Sequence, residues 1–461
     1  MAYKYQRIRE MILENALRTG AERLPSEHEI CALYGVSRTT AIRALNSLAD
    51  DHLVRREVGR GTFVNRSQVK TRVGFLVSKH VRELVRFAEE VAELFGRSHP
   101  YMEVRVHPID SRDWIRAIVN IPGPKVICSS HVGFLSDMNL LYPLSRLDLF
   151  QDALSQINSD LVVWQRGGEG DAVCHSLPLF SAPEVLAYNR KYARQLGLDA
   201  AHGPRDWGEI ETWAAAARTL QRNVMGCHLK RNNILPLSYY LTLTGGKPFI
   251  REDGPNVTFE FERGEEWLAF FRGLYQSGRM QDWERAKPDP ILSGRSLLSL
   301  SASTWLINQT KEHKTGDTIG VCSIPSVAAN GTSFSSVGKG ELAIVGDPDS
   351  DPSEAEVAWQ FVRFLTCEPT AQRILARTWH GLATNRVVYQ EQQADPQWAP
   401  YIQAFATGRR RCDHPAQHSL MKIVYAYYYA AVAGGMSCSE AAEKIQEGCR
   451  LQLEINDGTH T

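Results

Sequence analysis

The stretch LPSEHEICALYGVSRTTAIRALNSL, residues 24–48, constrains the fold more tightly than any other part of the chain. Pro25 and Ser26 mark a helix start, with Ser26 as N-cap and Glu29, three residues on, as its capping-box partner. The helix begun there is expected to carry Ile30 and Leu33 inward. Gly35 ends it in a tight turn, and Ser37 caps a further helix whose inner face is Ala41, Leu45 and Leu48. Ahead of both, Ile8, Ile12, Leu13 and Leu17 fall near helical spacing over residues 3–18. Two helices around a short turn, propped by a third, describe a helix-turn-helix.

The outward face of the last helix offers Arg38, Thr39, Thr40 and Arg43, which suit base edges and phosphates of a major groove. After it, LVRREVGRGTFV alternates like two strands around Gly59 and Gly61 and puts Arg55, Arg56 and Arg60 on a hairpin. Residues 1–68 hold one Lys and ten Arg against eight Asp and Glu, although the whole chain is neutral, so positive charge concentrates at this end. Three motifs, Leu24-Pro25-Ser26-Glu27, Gly35-Val36-Ser37-Arg38-Thr39 and Gly59-Arg60-Gly61-Thr62-Phe63-Val64, stand in order here. In that order they resemble the winged helix of the GntR family of bacterial transcription regulators. One departure is Asp51-His52, where that family usually has Glu-Gly. The resemblance implies Arg38, Thr39 and Arg43 at the major groove, Ser26 and Glu27 near the DNA backbone, and Gly61 at the minor groove. With Ser37, Thr40 and Arg60 these complete the expected DNA-binding set. It also implies a homodimer on a pseudo-palindromic double-stranded operator.

A polar bridge, NRSQVKT, leads to the buried-strand pattern RVGFLV, which sets an expected domain boundary near residue 69. A helix over 82–95 and strands at EVRVHPI and KVICSS follow, an alternation that argues for α/β with a mainly parallel sheet. Ligands favour the loops at strand C-termini in such sheets. Those loops are Ser78-Lys79-His80, Asp110-Ser111-Arg112 and Ser129-Ser130-His131.

From about residue 71 to 455 a series of short segments follows in order: Tyr188-Asn189, Leu196-Gly197-Leu198, Pro204 to Glu209, LTGGKPF, SGRSLLSLSASTW, GKGELAI, AWQFVRFLTCEPTAQRILA and CSEAAEKIQEGC. Together they resemble the type 2 periplasmic solute-binding proteins of the carbohydrate-binding group. YMEV stands for that family's usual Gly-Ile-x-Val, and Ser and Thr precede Trp305 where Gly is common. The resemblance implies a two-lobed, flytrap-like domain over residues 69–461, behind a winged helix of residues 1–68. It implies rings against sugar faces, with Trp305 at the stacking position and Asn232-Asn233 in a second-lobe loop. Lys422, with His418, stands before an aromatic helix. Trp207 and Tyr427 to Tyr429 read as packing, since consecutive residues cannot share a helical face.

The start, MAYKYQRIREMILENALRTG, has no apolar core of signal-peptide length, and no run is apolar enough to span a bilayer. A cytoplasmic chain with no membrane partner is therefore expected. Nine scattered cysteines without a CxxC pair fit a reducing compartment. No GxSxG, Walker loop, metal-spaced cluster or aldimine lysine setting occurs, so neither catalysis nor a cofactor or metal is expected. These readings converge on a transcription regulator that senses a cytoplasmic small molecule, a sugar by resemblance. The alternative is a regulator whose second domain, without ligand, serves dimerisation or a protein partner.

Overall fold

Ser26 and Ser37 set where the first helices begin. In the computed structural model, helices α1 (Lys4–Arg18), α2 (Glu27–Tyr34) and α3 (Arg38–Asp50) precede the hairpin β1 (Val54–Glu57) and β2 (Gly61–Val64). The structure describes residues 4–18, 21–51, 53–57, 59–65, 71–110, 113–130, 132, 135, 138–166, 172–220, 223–230, 236–253, 256–283, 289–328, 331–347, 352–410 and 417–458. The backbone forms two compact units, Met1–Cys128 with Ile344–Phe364, and Ser129–Ala343 with Leu365–Thr461.

In the first unit, Ile8, Ile12, Ile30, Ala41, Leu45 and Leu48 are buried in one core under α1 to α3. Leu33 corrects the sequence reading: it is 63% exposed. The buried stripe of α2 runs through Ile30 and Tyr34, one turn apart, and Leu33 projects to the side of it. Leu13 packs partly against this core, while the side chain of Leu17 lies outside the described residues. The hairpin is antiparallel, Val54 facing Val64 and Glu57 facing Gly61. Leu24 N–H donates to Thr62 O (2.8 Å) and Val64 N–H to Glu22 O (2.8 Å), so residues 22–24 tie the start of α2 to the wing.

Strand β3 (Thr71–Ser78) leads through α4 (Arg82–Ser98) to β4 (Met102–Ile109), and α5 (Trp114–Asn120) leads to β5 (Lys125–Ser129). Both β4 and β5 pair parallel with β3, the geometry that a strand–helix–strand alternation requires. One face of α4 buries Leu84, Phe87, Val91 and Phe95. Phe361, from the helix Pro352–Cys367, meets Phe75 and Phe95 edge-on at 5.1 Å each.

In the second unit, β6 (Ser176–Pro183) is followed after one residue, Glu184, by β7 (Val185–Asn189). Then come α6 (Trp207–Ala216), β8 (Met225–Lys230), α7 (Leu237–Leu243), α8 (Gly264–Gln276), β9 (Met280–Trp283), β10 (Ser296–Ala302), α9 (Trp305–Glu312), β11 (Ile319–Cys322) and β12 (Ser336–Val345). The five-stranded order is β9-β8-β10-β7-β11. Strand β8 runs parallel to β9 and β10, whereas β7 is antiparallel to β10 and β11. The sheet is thus mixed where a mainly parallel one was expected. The reason is local: β7 is fed directly from β6, which pairs antiparallel with β12 in another sheet, and no crossover helix resets its direction.

Asn189 caps the helix that follows β7, and Asp206 caps α6 by accepting from Glu209 N–H at 2.8 Å. Gly245 and Gly246 close α7. The segment AWQFVRFLTCEPTAQRILA forms parts of two helices, because Glu368 caps a new helix α10 (Pro369–Thr378) with Pro369 at its start. Helices α11 (Arg386–Ala394), α12 (Gln417–Val432) and α13 (Cys438–Gly458) complete the unit. Its core is aromatic: Trp267 lies 5.1 Å from Tyr428 and 5.8 Å from Tyr240, and Tyr239 lies 5.6 Å from Phe271. Tyr428 is buried while Tyr427 and Tyr429 are half-buried, as packing on one helical face dictates. No described helix is long and apolar enough to cross a membrane.

Candidate functional site

The capping box that starts α2 is complete. Glu29 N–H donates to Ser26 Oγ (3.3 Å), and Ser26 N–H donates to Glu29 Oε2 (2.7 Å). The bonds from Ser26 hold the Glu29 carboxyl below its ordinary range. Gly35 takes φ 58°, the left-handed turn that separates α2 from α3. Ser37 then accepts from Thr40 N–H (3.3 Å), and the two hydroxyls meet at 2.9 Å. Thr40 is half-buried and engaged with this cap, which leaves Arg38, Thr39 and Arg43 as the exposed row on α3. Glu27 Oε2 lies 3.2 Å from Arg38 Nε, so its carboxylate addresses the arginine rather than standing free.

On the wing, Arg60 pairs with Glu57 at 2.8 Å and the guanidinium of Arg55 lies 5.7 Å from the centre of the Phe63 ring. Gly61 has φ 120°, and a Cβ there would stand 2.8 Å from Nε of Arg23. Arg23 bridges to Phe63 through the backbone and brings another exposed cation to the wing. Sequence reasoning missed it; the signal was a basic residue directly before Leu24. Arg9 fastens α1 to the end of α3 through Asp51 (2.6 Å) and Ser47 (2.7 Å). His52, the departure from the family pattern, lies outside the described residues.

At the C-terminal ends of β3 and β4 the structure brings two expected loops together. Asp110 is buried, and its Oδ2 lies 2.9 Å from Lys79 Nζ and 3.2 Å from His80 Nε2. Ser78 ends β3 half-buried, Ser129 ends β5 and Ser130 is exposed. Ser111, Arg112, His131, Asn232 and Asn233 lie outside the described residues, as does the side chain of His418. Trp305 opens α9 with its ring half-buried against a cluster that includes Leu306, Trp398 and Tyr401. Lys422 and His418 lie within α12 rather than before it, because the helix already starts at Gln417; Lys422 is exposed there, and α12 packs on the other, aromatic cluster, so Trp305 and Lys422 stand in different environments. Trp207 is buried 4.4 Å from Phe270, a packing position.

Two features escaped the sequence reading. One is a buried polar seam at the β6 to β7 crossover. Ser238 Oγ donates to Glu184 Oε2 and accepts from Ser336 N–H (2.8 Å), while Ser335 Oγ donates to Glu184 O (2.8 Å). The other is an apolar recess lined by Leu237, Tyr240, Phe249 and Met421 with Arg409 and Arg410 at its rim. Arg409 lies 4.7 Å from the centre of the Phe334 ring. The run GRRRC was the only sequence signal for it, and a charge run alone reads as a solvated face.

Residues 4–64 match the gntR family of bacterial regulatory proteins, and residues 94–406 match the bacterial extracellular solute-binding proteins. The HTH-type transcriptional repressor NagR of Bacillus subtilis (strain 168) is 31% identical over 126 residues, 24% of this chain and 49% of NagR. The chain therefore spans about half the length of that curated relative. Among solved structures, the GacH receptor of Streptomyces glaucescens GLA.O superposes with TM-score 0.68 at 18% identity, over 83% of this chain and 99% of GacH. The cyclic alpha-maltosyl-1,6-maltose binding protein of Arthrobacter globiformis gives 0.67 at 16% identity, over 84% and 100%. At such identities the likeness speaks for the fold, a two-lobed solute-binding domain.

Proposed function

Because the chain belongs to the bacterial extracellular solute-binding protein family and opens with a GntR helix-turn-helix domain, we propose that it is a transcription regulator whose operator affinity answers to a cytoplasmic small molecule. Residues 1–68 form the reader and residues 69–461 the sensor in this reading. The observation that carries it is the pairing itself: a capped recognition helix with exposed Arg38, Thr39 and Arg43 shares one chain with a solute-binding fold. Lobe closure around a sugar-like effector re-spaces two readers in a homodimer, and half-sites about one helical turn apart make affinity sensitive to that spacing. A coupling of about 1–3 kcal/mol corresponds to roughly 5 to 150-fold in operator affinity. The sugar-binding proteins among the structural neighbours support a carbohydrate, and the repressor NagR supports operator occupancy as the readout.

The test is the melting temperature of the full chain against mono- and oligosaccharides, uronic acids included, followed by operator binding with each stabilising sugar. A ligand that binds only the native state raises apparent stability. The expected result is a rise with one sugar class that alters operator affinity, lost in Trp305→Ala with operator binding retained. No rise with any sugar and indifferent operator binding would overturn the reading in favour of a ligand-free dimerisation or partner module.

A further inference from the structure

A second recess lies between α9, α10 and α11, with a volume of about 360 Å3, within the size range of small-molecule sites. It shares no lining residue with the recess beside Arg409. Its inner wall is His380 and Trp398, 4% and 3% exposed, with ring planes 15° apart. His380 follows the last residues of α10 in the left-handed conformation, φ 58°, a position that glycine or asparagine occupies more easily. Its buried Nδ1 has no hydrogen-bond partner among the described residues, although buried polar groups nearly always find one. Burial, then the Lys311 ammonium, pushes its pKa down to about 4, so at neutral pH the ring serves as a hydrogen-bonding group rather than a charge.

The rim is cationic where it remains open. Glu391 is occupied by Arg373 through two bonds, 3.0 and 2.7 Å, and Asp395 accepts from the backbone and side chain of Gln397. Lys311 is exposed and forms no ion pair among the described residues, and Arg377 lines the same recess. Both acidic side chains of the lining are therefore engaged, while the exposed Lys311 has no carboxylate partner among the described residues.

We propose that this recess binds a small organic anion, with a phosphate or carboxylate group on Lys311 and its uncharged part against Val388 and the His380–Trp398 wall. Trp305, the expected stacking ring of the effector reading, is not among the residues that line this recess, and the test does not depend on that reading. Calorimetric titration of the full chain compares inorganic phosphate, ribose 5-phosphate and ribose. Ribose 5-phosphate is expected to bind about tenfold or more tightly than phosphate, and ribose alone not to bind. Lys311→Glu should weaken ribose 5-phosphate at least about tenfold and Lys311→Gln less, with added salt weakening the wild type. Lys311 is an exposed helix residue, so the melting temperature of each variant without ligand should match the wild type. No binding of ribose 5-phosphate, or undiminished binding in a Lys311→Glu protein that melts normally, would overturn the proposal. A sugar response surviving in Lys311→Glu keeps the failure of one reading distinct from the other.

Discussion

Under the proposed function, two partners compete for Arg38. Its side chain is 80% exposed, which a base-reading role requires, and Glu27 sits 3.2 Å from its Nε. An exposed ion pair of this kind is worth about 0–1 kcal/mol, whereas a bidentate contact to guanine is worth about 1–3 kcal/mol. If Arg38 reads a guanine as proposed, the base contact outweighs the pair with Glu27, which then pre-orients the guanidinium at little cost. Arg38→Ala should lower specific operator binding by about 1–3 kcal/mol and flatten the preference at one base pair. Competition binding against operators substituted at each position measures this. Uniform weakening across all sequences would instead place Arg38 on a phosphate. The residues beside it divide by range of interaction: the caps Ser26 and Ser37 were legible because they bond within three residues. The engagement of Glu27 with Arg38 spans eleven residues and was not.

Among the elements, the wing makes a strict demand on its backbone. Gly61 at φ 120° permits β2 to pass Arg23 while Leu24 and Glu22 bond to the same strand. Any side chain there pays for a left-handed backbone and displaces the Arg23 guanidinium. Gly61→Ala is expected to destabilise the reader by about 1–3 kcal/mol and to reduce operator affinity, with effector-induced stabilisation of the sensor unaltered. Unfolding followed by circular dichroism, alongside operator titration, checks both, and full operator affinity in the variant would show that the wing stands off the DNA. The GxG spacing announced this hairpin. Strand direction in the second unit was less legible, because alternation of strands and helices reports parallel pairing only where a helix intervenes. Glu184 alone separates β6 from β7, and nothing in its neighbourhood of apolar residues says that the chain changes sheets there. Leu33 shows the same limit at smaller scale, since periodicity identifies an apolar position but not whether a neighbouring element covers it.

At the scale of the molecule, the two family matches account for residues 4–64 and 94–406, and most of this organisation was legible from the order of short motifs. The ligand was not legible. Solute-binding residues are generally gathered from loops distant in sequence, and such loops do meet here: Lys79 and Asp110, thirty-one residues apart, lie 2.9 Å from each other. The proposed coupling between reader and sensor nevertheless has to obey a condition independent of the ligand's identity. If a sugar changes operator affinity by some factor, the operator must change sugar affinity by the same factor, because both measure one coupling free energy. A tenfold effect in one direction requires about 1.4 kcal/mol and hence a tenfold effect in the other. Titrating the stabilising sugar into the chain with and without saturating operator DNA should return the factor found when the DNA is titrated with and without sugar. Equal sugar affinity in both titrations, beside a sugar-dependent operator affinity, would break that closure and show that the sugar acts on the DNA-binding assay by some route other than binding this chain.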